Sequence, residues 1–172
     1  PGSDAVIDPE HEQFRDALGR FAALTGEDTH DWQGYLAAHR KRRRAFIEVG
    51  ATSTDHGHAT ARTADLPPAE AERLFRRVID GSADAAAAEL FRAQMLTEMA
   101  RMSLDDGLVM QIHPGAFRNH NRPLFERFGR DKGADMPMAT DYVHALKPLL
   151  DRCGNEPNLT IIVFTLDETA YS

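Results

Sequence analysis

The feature that most constrains the fold of this chain is a short apolar run that ends at a histidine and a polar cluster. Residues 108–112 are Leu-Val-Met-Gln-Ile, and His113 follows them directly, ahead of a Pro-Gly turn. Parallel strands that are covered on both faces have such continuous apolar sequences. Ligands of α/β folds bind beyond the carboxyl ends of these strands. The run therefore predicts a buried strand that delivers polar chemistry to a site. The polar residues beyond the turn are Arg118, Asn119, His120 and Asn121.

Two further segments are predicted to be strands of the same sheet. One is residues 45–49, Ala-Phe-Ile-Glu-Val, and the other is the β-branched stretch 159–165. A polar, glycine-containing loop is expected at residues 51–63. Helical periodicity fills the rest of the chain, and strands that are joined by helices imply a parallel sheet with right-handed crossovers, an α/β fold. The predicted helices cover residues 9–25, 29 or 31 to 44, 65–80, a longer stretch from Ser82, 121–128, and 139–151 with an interruption near Pro148.

The chain is expected to be a single segment, residues 1–172, of a larger protein. A length of 172 residues suits one domain with a core and is too short for two. Three parallel strands alone, however, leave two long hydrophobic edges unpaired. The sequence also begins without methionine and stops shortly after a strand.

Composition excludes some classes of partner. A net charge of −7 argues against a general binder of nucleic acids or anionic membranes. No apolar run reaches the length of a membrane span, and no signal-peptide pattern opens the sequence. The single cysteine, Cys153, excludes an internal disulfide and is interpreted as a small buried residue at a helix end rather than a catalytic thiol. We therefore expect a cytoplasmic protein.

A basic run at residues 39–44, His-Arg-Lys-Arg-Arg-Arg, has two interpretations. It closes a predicted helix, where cations are favourable at the negative end of the helix dipole. It could instead form a phosphate-binding patch. The first interpretation is favoured. The methionines of the long helix, in the stripe Ala87, Phe91, Met95, Met99 and Met102, are interpreted as core packing rather than a cofactor site.

Polar residues cluster at the predicted carboxyl ends of all three strands. Four of the eight histidines lie in two short loops, which suits a metal site or an acid–base site. The planar fork of Arg118 can grip a carboxylate in a bidentate manner. An ion pair of Arg118 with Asp131 or Asp135 that braces the loop is the alternative. The clusters are Asp55, His56 and His58 after the first strand, His113 with Arg118 to Asn121 after the second, and Asp167 with Glu168 after the third.

These segments resemble uronate isomerases, metal-dependent (β/α)8 barrels of the amidohydrolase superfamily. The motifs are Ala51-Thr-Ser-Thr-Asp-His-Gly-His58, Gln111-Ile-His-Pro-Gly-Ala-Phe-Arg-Asn-His-Asn121, Leu124-Phe-Glu-Arg-Phe-Gly129 with Asp131-Lys-Gly-Ala-Asp135, and Thr160-Ile-Ile-Val-Phe-Thr-Leu-Asp167. The resemblance implies interconversion of glucuronate with fructuronate, and of galacturonate with tagaturonate, through an enediol.

The resemblance also implies positions and roles for particular residues. The three strands correspond to the fifth, sixth and seventh of the barrel, so that the missing strands cover the open edges. Asp55 and His56 resemble the family's polar pair after the fifth strand, and His113 the histidine that ends the sixth. His113 and Asp55 are the expected catalytic residues. The expected substrate-binding residues are Arg118, Asn119, Asn121 and His56.

The family's main metal ligands have no counterpart in this chain. They are a His-x-His motif after the first strand and an aspartate after the eighth, which is also the expected proton-transfer base. The pair His56 and His58 follows a later strand and is not that motif. The resemblance therefore implies a divalent metal, with zinc expected, in the full-length enzyme, no metal ligand here, and no activity for residues 1–172 alone.

Two other functions remain open from the sequence. One is a metal-dependent hydrolase of the same superfamily that acts on an amide or an ester. The other is a non-catalytic binding or assembly module. The favoured function is the isomerase, whose substrate is a small hexuronate. A homo-oligomer is compatible with all of these functions.

Overall fold

The computed structural model describes residues 4–130 and 132–170, which fold as helices packed on a small parallel sheet. Three strands form the sheet, and two short strands form a separate ribbon. The strands are β1 (Ser53–His56), β2 (Val109–Ile112), β3 (Ala116–Phe117), β4 (Met136–Pro137) and β5 (Ile161–Val163). The helices are α1 (Asp4–Ile7), α2 (Phe14–Thr25), α3 (Trp32–Glu48), α4 (Pro68–Asp80), α5 (Ala85–Asp106), α6 (Arg122–Phe128) and α7 (Tyr142–Cys153), and a single 3₁₀ turn covers Glu168–Ala170.

The main sheet is parallel, as the alternation of helices and strands predicts. Its order is β1-β2-β5, so β2 lies in the centre. Asp55 pairs with Gln111 and Ile112 pairs with Val163. This order brings the carboxyl ends of all three strands to one edge of the sheet.

The core lies between the sheet and α5. Residues 93–100 of this helix are all buried, and Met110 and Ile112 of β2 are fully buried against the same layer. A second part of the core consists of aromatic rings, with the centroids of Tyr35 and Phe75 4.8 Å apart. The predicted stripe from Ala87 to Met102 is confirmed as core packing, because all five of its members are buried.

The first strand lies later in the chain than the sequence pattern predicts. Residues 45–49 are not a strand, since α3 continues through them to Glu48. The guanidinium of Arg42 lies 4.2 Å from the ring centroid of Phe46, one helical turn later, which favours the helix there. The true strand, β1, lies inside the expected loop at 51–63. Because its residues are polar, it lacks the apolar run that marks β2.

The basic run at 39–44 does not end a helix, so its interpretation as a helix-dipole cap is wrong. The last turn of α3 contains no basic residue. Instead Arg43 is buried, and its Nε and Nη2 atoms lie 2.5 and 2.8 Å from the carboxylate of Asp106 at the end of α5. The run therefore contains one internal cation that joins two helices.

The remaining helices follow the sequence pattern with shifted ends. The first predicted helix begins at Phe14 rather than at Pro9, and a short α1 precedes it. The helix predicted at 139–151 runs from Tyr142 to Cys153 and keeps Pro148 inside it. Cys153 is buried at the end of this helix, which confirms its structural interpretation. Within the described part of the chain, no helix combines the length and the apolar character needed to cross a bilayer.

Candidate active site

The pleat of the sheet places Asp55 and His113 on one face and His56 on the other. Neighbouring residues of a strand point to opposite faces, and Asp55 lies opposite Gln111 while His56 lies opposite Ile112. His113 continues β2, because its backbone N–H donates to the carbonyl of His56 at 3.1 Å. Asp55 and His113 therefore share the face that α5 does not cover. Both Asp55 and His56 lie within β1, and not after the strand as the sequence predicts.

One polar contact at the carboxyl ends of the strands joins β1 and β2. Nε2 of His113 lies 2.9 Å from Oδ1 of Asp55. The side chain of His113 is 28% exposed and that of Asp55 is 49% exposed, so solvent or a substrate can reach both. A carboxylate at this distance orients an imidazole ring, which is the arrangement used by acid–base histidines.

A cavity of about 600 Å³ opens beside this pair. His113, Arg118 and Asn119, three of the six predicted site residues, line it. The opposite wall comes from residues that precede α2, and the loop after β1 forms a third wall. The remaining described lining residues are Ala5, Asp8, His11, Gly57, His58, Ala59, Thr60, Ala116, Phe117, Arg130 and Met138.

The turn after β2 directs the chain towards this cavity. Gly115 has a φ of +95°, which an L side chain adopts only with strain, and the following β3 pairs with β4. Asn119 also lies in the left-handed region, with a φ of +56°. Asparagine tolerates this conformation better than most residues. The turn therefore presents Arg118 and Asn119 at the rim of the cavity.

Asn121 has a structural contact of its own. Its side-chain oxygen accepts a hydrogen bond from the backbone N–H of Leu124 at 3.1 Å and so caps α6. Asp55, Asn121 and His56 are not among the described residues that line the cavity. The catalytic role of Asp55 and the substrate-binding roles of Asn121 and His56 stay predictions. Asp131, one of the two alternative partners of Arg118, lies outside the described residues.

Two buried histidines lie at the end of β1 and in the loop after it, His56 and His58. Burial, followed by the neighbouring His58 and Arg43, holds the pKa of His56 well below its ordinary value, and Nε2 of this ring lies 3.0 Å from the Thr54 hydroxyl. Burial, followed by the charge of Arg92, lowers the pKa of His58 to about 4. Neither ring nitrogen of His58 has a hydrogen-bond partner among the described residues. Both rings are therefore neutral at pH 7.

The described residues do not assemble a metal centre. Within residues 4–130 and 132–170, no group of three or more histidine, cysteine, aspartate or glutamate side chains is arranged to hold a metal ion. Asp55 and His113 form a pair, and His56 faces the opposite layer. The described residues alone therefore do not hold the divalent metal, whose principal ligands the resemblance places outside this chain.

Sequence reasoning missed the contribution of the chain that precedes α2. In the sequence Asp8 directly precedes the helix predicted at residues 9–25, but in the structure it lines the cavity together with His11. A signal for this lay in Arg92, a charged residue one position before the continuously buried part of α5. A charge in such a helix needs partners, and two of the partners are Asp8 and Glu10.

The fold and the site define a class of protein. Parallel strands that are flanked by helices and carry polar residues at their carboxyl ends are the arrangement of α/β barrels. The chain has the fold of part of a (β/α)8 barrel of the metal-dependent hydrolase type. Residues 2–172 match the family model described as glucuronate isomerase. The chain belongs to the glucuronate isomerase family.

Curated relatives carry the name uronate isomerase. That of Xanthomonas campestris pv. campestris (strain 8004) is 73% identical over 169 residues, which cover 98% of this chain and 36% of the relative. That of Phenylobacterium zucineum (strain HLK1) is 70% identical and is covered to 35%. The chain therefore spans about a third of the length of these relatives.

Solved structures agree with the fold. The glucuronate isomerase of Caulobacter crescentus is 64% identical, with a TM-score of 0.96 over 98% of this chain and 35% of that chain. The uronate isomerase of Thermotoga maritima has a TM-score of 0.88 at 24% identity, over 96% of this chain and 37% of that one, and supports the fold alone.

Proposed function

We propose that this chain forms part of the active site of an enzyme that interconverts a hexuronate aldose and its ketose. The substrates are D-glucuronate with D-fructuronate and D-galacturonate with D-tagaturonate. The observation that carries the proposal is the contact of His113 with Asp55, with His113 and Arg118 both lining one cavity, in a chain of the glucuronate isomerase family. The chain supplies strands five to seven of the barrel, and the rest of the protein covers the open edges of β1 and β5.

The reaction needs proton transfers only. The C2–H bond of the aldose breaks and a C1–H bond forms, while the proton of the C2 hydroxyl moves to the C1 oxygen. Carbon and oxygen stay in place, and the enediol is the intermediate. The residues of this chain therefore need only to transfer protons and to hold the substrate in place.

Each residue of the site has a role in the proposal. Asp55 orients His113, and His113 makes a hydrogen bond to a substrate hydroxyl or to the oxygen of the enediolate. Arg118 binds the uronate carboxylate through its planar fork, and Asn119 contacts a hydroxyl beside it. The exposure of Arg118 at the cavity rim is what this role requires.

The whole protein completes the site. Its divalent metal, expected to be zinc, has its principal ligands outside this chain in the proposal, as does the proton-transfer base. Residues 1–172 alone are then inactive. We place the protein in the cytoplasm, which the buried, unpaired thiol of Cys153 supports. A homo-oligomeric state stays a prediction.

The test uses the full-length protein with D-glucuronate, followed by NMR in ²H₂O. The expected result is the appearance of the ketose, with deuterium from the solvent at C1. The variant Arg118→Lys keeps the charge but loses the fork, so we expect the KM to rise or the kcat to fall by about tenfold. Arg44→Lys, an exposed change on α3, serves as the control. Unaltered glucuronate would sink the proposal, and wild-type kinetics in Arg118→Lys would remove Arg118 from it.

A further inference from the structure

Arg92 lies at the centre of a group of charged residues that the proposed chemistry does not use. Its side chain is only 11% exposed on α5. Its guanidinium lies 2.6 Å from Oδ1 of Asp8, 2.8 Å from Oε2 of Glu10 and 2.9 Å from Oε2 of Glu89. We call these four residues the Arg92 cluster. Three carboxylates around one cation repel one another, so the cluster depends on its arginine.

The Arg92 cluster joins two walls of the cavity. Asp8 and Glu10 belong to residues 5–12, the N-terminal wall, from which Asp8 and His11 line the cavity. Glu89 connects to the other wall, because its Oε1 accepts a hydrogen bond from the Thr60 hydroxyl at 2.5 Å. Thr60 lies in the loop after β1 and also lines the cavity. The half-buried guanidinium of Arg92 thus links the N-terminal wall to the loop after β1.

The energetics of the cluster favour a strong link. Burial on its own lowers the pKa of Arg92, but hydrogen bonds to Glu10 and Glu89 outweigh it and the pKa is raised. The guanidinium meets Glu89 through both Nε and Nη2, at 3.1 and 2.9 Å. Both atoms donate to the same oxygen, Oε2, and hydrogen bonds between ionised partners are stronger than those between neutral ones. The geometry of the N-terminal wall therefore follows from that of α5.

Other contacts keep the N-terminal wall folded when the cluster is disturbed. Ile7 is completely buried in the core. The Tyr35 hydroxyl donates to the carbonyl of Val6 at 2.7 Å. A change at Arg92 is therefore expected to loosen the polar end of the wall, from Asp8 to Glu12, and to leave α1 attached.

We infer that Arg92 is a positioning residue: it holds the N-terminal wall and the loop after β1 together, and so sets the affinity for substrate without touching it. This inference rests on the proposed function. Asp8 and His11 owe their places at the cavity to this contact, while His113 and Arg118 are held by β2 and the turn after it. Loss of the link should therefore weaken binding and spare the chemistry.

The test is Arg92→Lys in the full-length protein. A lysine keeps the charge, but its single ammonium cannot hold three carboxylates in the geometry of the fork. We expect the KM for D-glucuronate to rise about fivefold or more, with the kcat within about twofold of wild type. Amide hydrogen exchange at residues 8–12 and 57–60 should accelerate by about tenfold or more, and exchange in β2 should stay unchanged. The matched control is Arg73→Lys on α4, where the arginine is 66% exposed.

Three outcomes would overturn the inference. They are an unchanged KM in Arg92→Lys, a fall in kcat without a change in KM, and faster exchange at the N-terminal wall with no loss of affinity. If the wild-type protein does not convert glucuronate, the proposed function fails first. The affinity for glucuronate by calorimetry then replaces the KM: weaker binding in Arg92→Lys supports the positioning role, and equal or absent binding overturns it.

Discussion

Arg43 shows how a charged residue in a basic run becomes part of the interior. Its side chain is 6% exposed, and besides the pair with Asp106 it donates to the Ser103 hydroxyl at 2.9 Å. All these acceptors lie in the last turn of α5, so one side chain fixes the crossing of α3 and α5. Burial of a charge is tolerated only when it is paired and hydrogen-bonded in this way.

Replacement of Arg43 tests this pair. Arg43→Met keeps the apolar stem but leaves the carboxylate of Asp106 without its cation. We expect the free energy of unfolding to fall by about 3 kcal/mol, in the range found when one partner of a buried ion pair is removed. Urea unfolding of the full-length protein measures this. Arg44→Met, an exposed change in the same run, should alter it by less than about 0.5 kcal/mol. Equal effects of the two changes would contradict the internal role of Arg43.

The sequence predicts single site residues better than it predicts their partners. The places of His113 and Arg118 at the cavity follow from local pattern, because each comes after a strand or turn with a clear signature, while their roles stay predictions. The places of Asp8 and His11 at the cavity do not follow from local pattern, because they depend on the Arg92 cluster. In that cluster Asp8 and Glu10 lie 84 and 82 residues from Arg92 in the chain. Local pattern carries no information on such distances. Arg92 is 11% exposed and Arg43 is 6% exposed, and each has a partner that is distant in the chain.

Among the elements, the turn after β2 is constrained both by its conformation and by its neighbours. The carbonyl of Gly115 accepts a hydrogen bond from the N–H of Met138 at 2.7 Å, so the turn is packed against the chain that precedes α7. A Cβ at Gly115 would lie 2.8 Å from the Thr140 hydroxyl oxygen and 3.4 Å from the Met138 carbonyl oxygen. Both the backbone conformation and the space exclude a side chain here.

Gly115→Ala should therefore disturb the site through the backbone. We expect a loss of about 1–3 kcal/mol in stability, from the strain of a positive φ and the crowding at Thr140. The KM should rise, because Arg118 follows the turn by three residues. Thermal unfolding and steady-state kinetics of the full-length protein measure the two effects. Gly19→Ala, in the exposed middle of α2 with no neighbouring atom within 4 Å, should instead stabilise by about 0.5–1 kcal/mol. A neutral result at Gly115 would show that the turn is not strained by a side chain.

The elements differ in how far their sequences reveal them. The apolar run of β2 and the glycine after α5 predict the central strand within one residue. The residues of β1 are Ser-Thr-Asp-His, so the strand has no apolar run and its sequence resembles a loop. The apolar residues at 45–49 gave a false strand, since a short apolar run alone does not separate helix from strand.

At the scale of the whole molecule, three buried histidines make stability depend on pH. Burial, followed by the charges of Arg43 and Arg40, lowers the pKa of His39 to about 3. Burial also lowers the pKa of His58 to about 4, and that of His56 well below its ordinary value. In the unfolded chain these rings titrate near pH 6.5. Below that pH the unfolded state binds more protons than the folded state does.

The free energy of unfolding should therefore be constant above about pH 7 and fall as the pH drops from about 6.5 towards 4. Each neutral buried ring contributes a slope of up to about 1.4 kcal/mol per pH unit. His58→Gln should remove one such contribution between pH 4 and pH 6.5, measured by urea unfolding at a series of pH values. His30→Gln is the control, because His30 is exposed in the fold as it is in the unfolded chain. Equal slopes for His58→Gln and wild type would contradict a neutral His58.

The barrel itself is a property that the sequence indicates only through resemblance. Periodicity and turn signals lead to three parallel strands with flanking helices, and the structure confirms the parallel sheet, although its first strand is β1 and not residues 45–49. Nothing local in the chain encodes the number of strands in a closed barrel, because closure depends on the strand number and stagger of the whole cylinder. The family match and the shared fold with the Caulobacter crescentus enzyme supply that step.

The pair of Arg43 and Asp106 has a consequence for how the chain is made. The two residues are 63 positions apart, so during synthesis Arg43 leaves the ribosome long before its partner exists. Until then α3 and β1 lack their tie to α5. Asp106 also accepts a hydrogen bond from the backbone N–H of Leu108 at 3.1 Å, directly ahead of β2. β2, which pairs with β1, therefore leaves the ribosome just after Asp106, whose carboxylate pairs with Arg43 of α3. Assembly of the sheet then follows the order of translation.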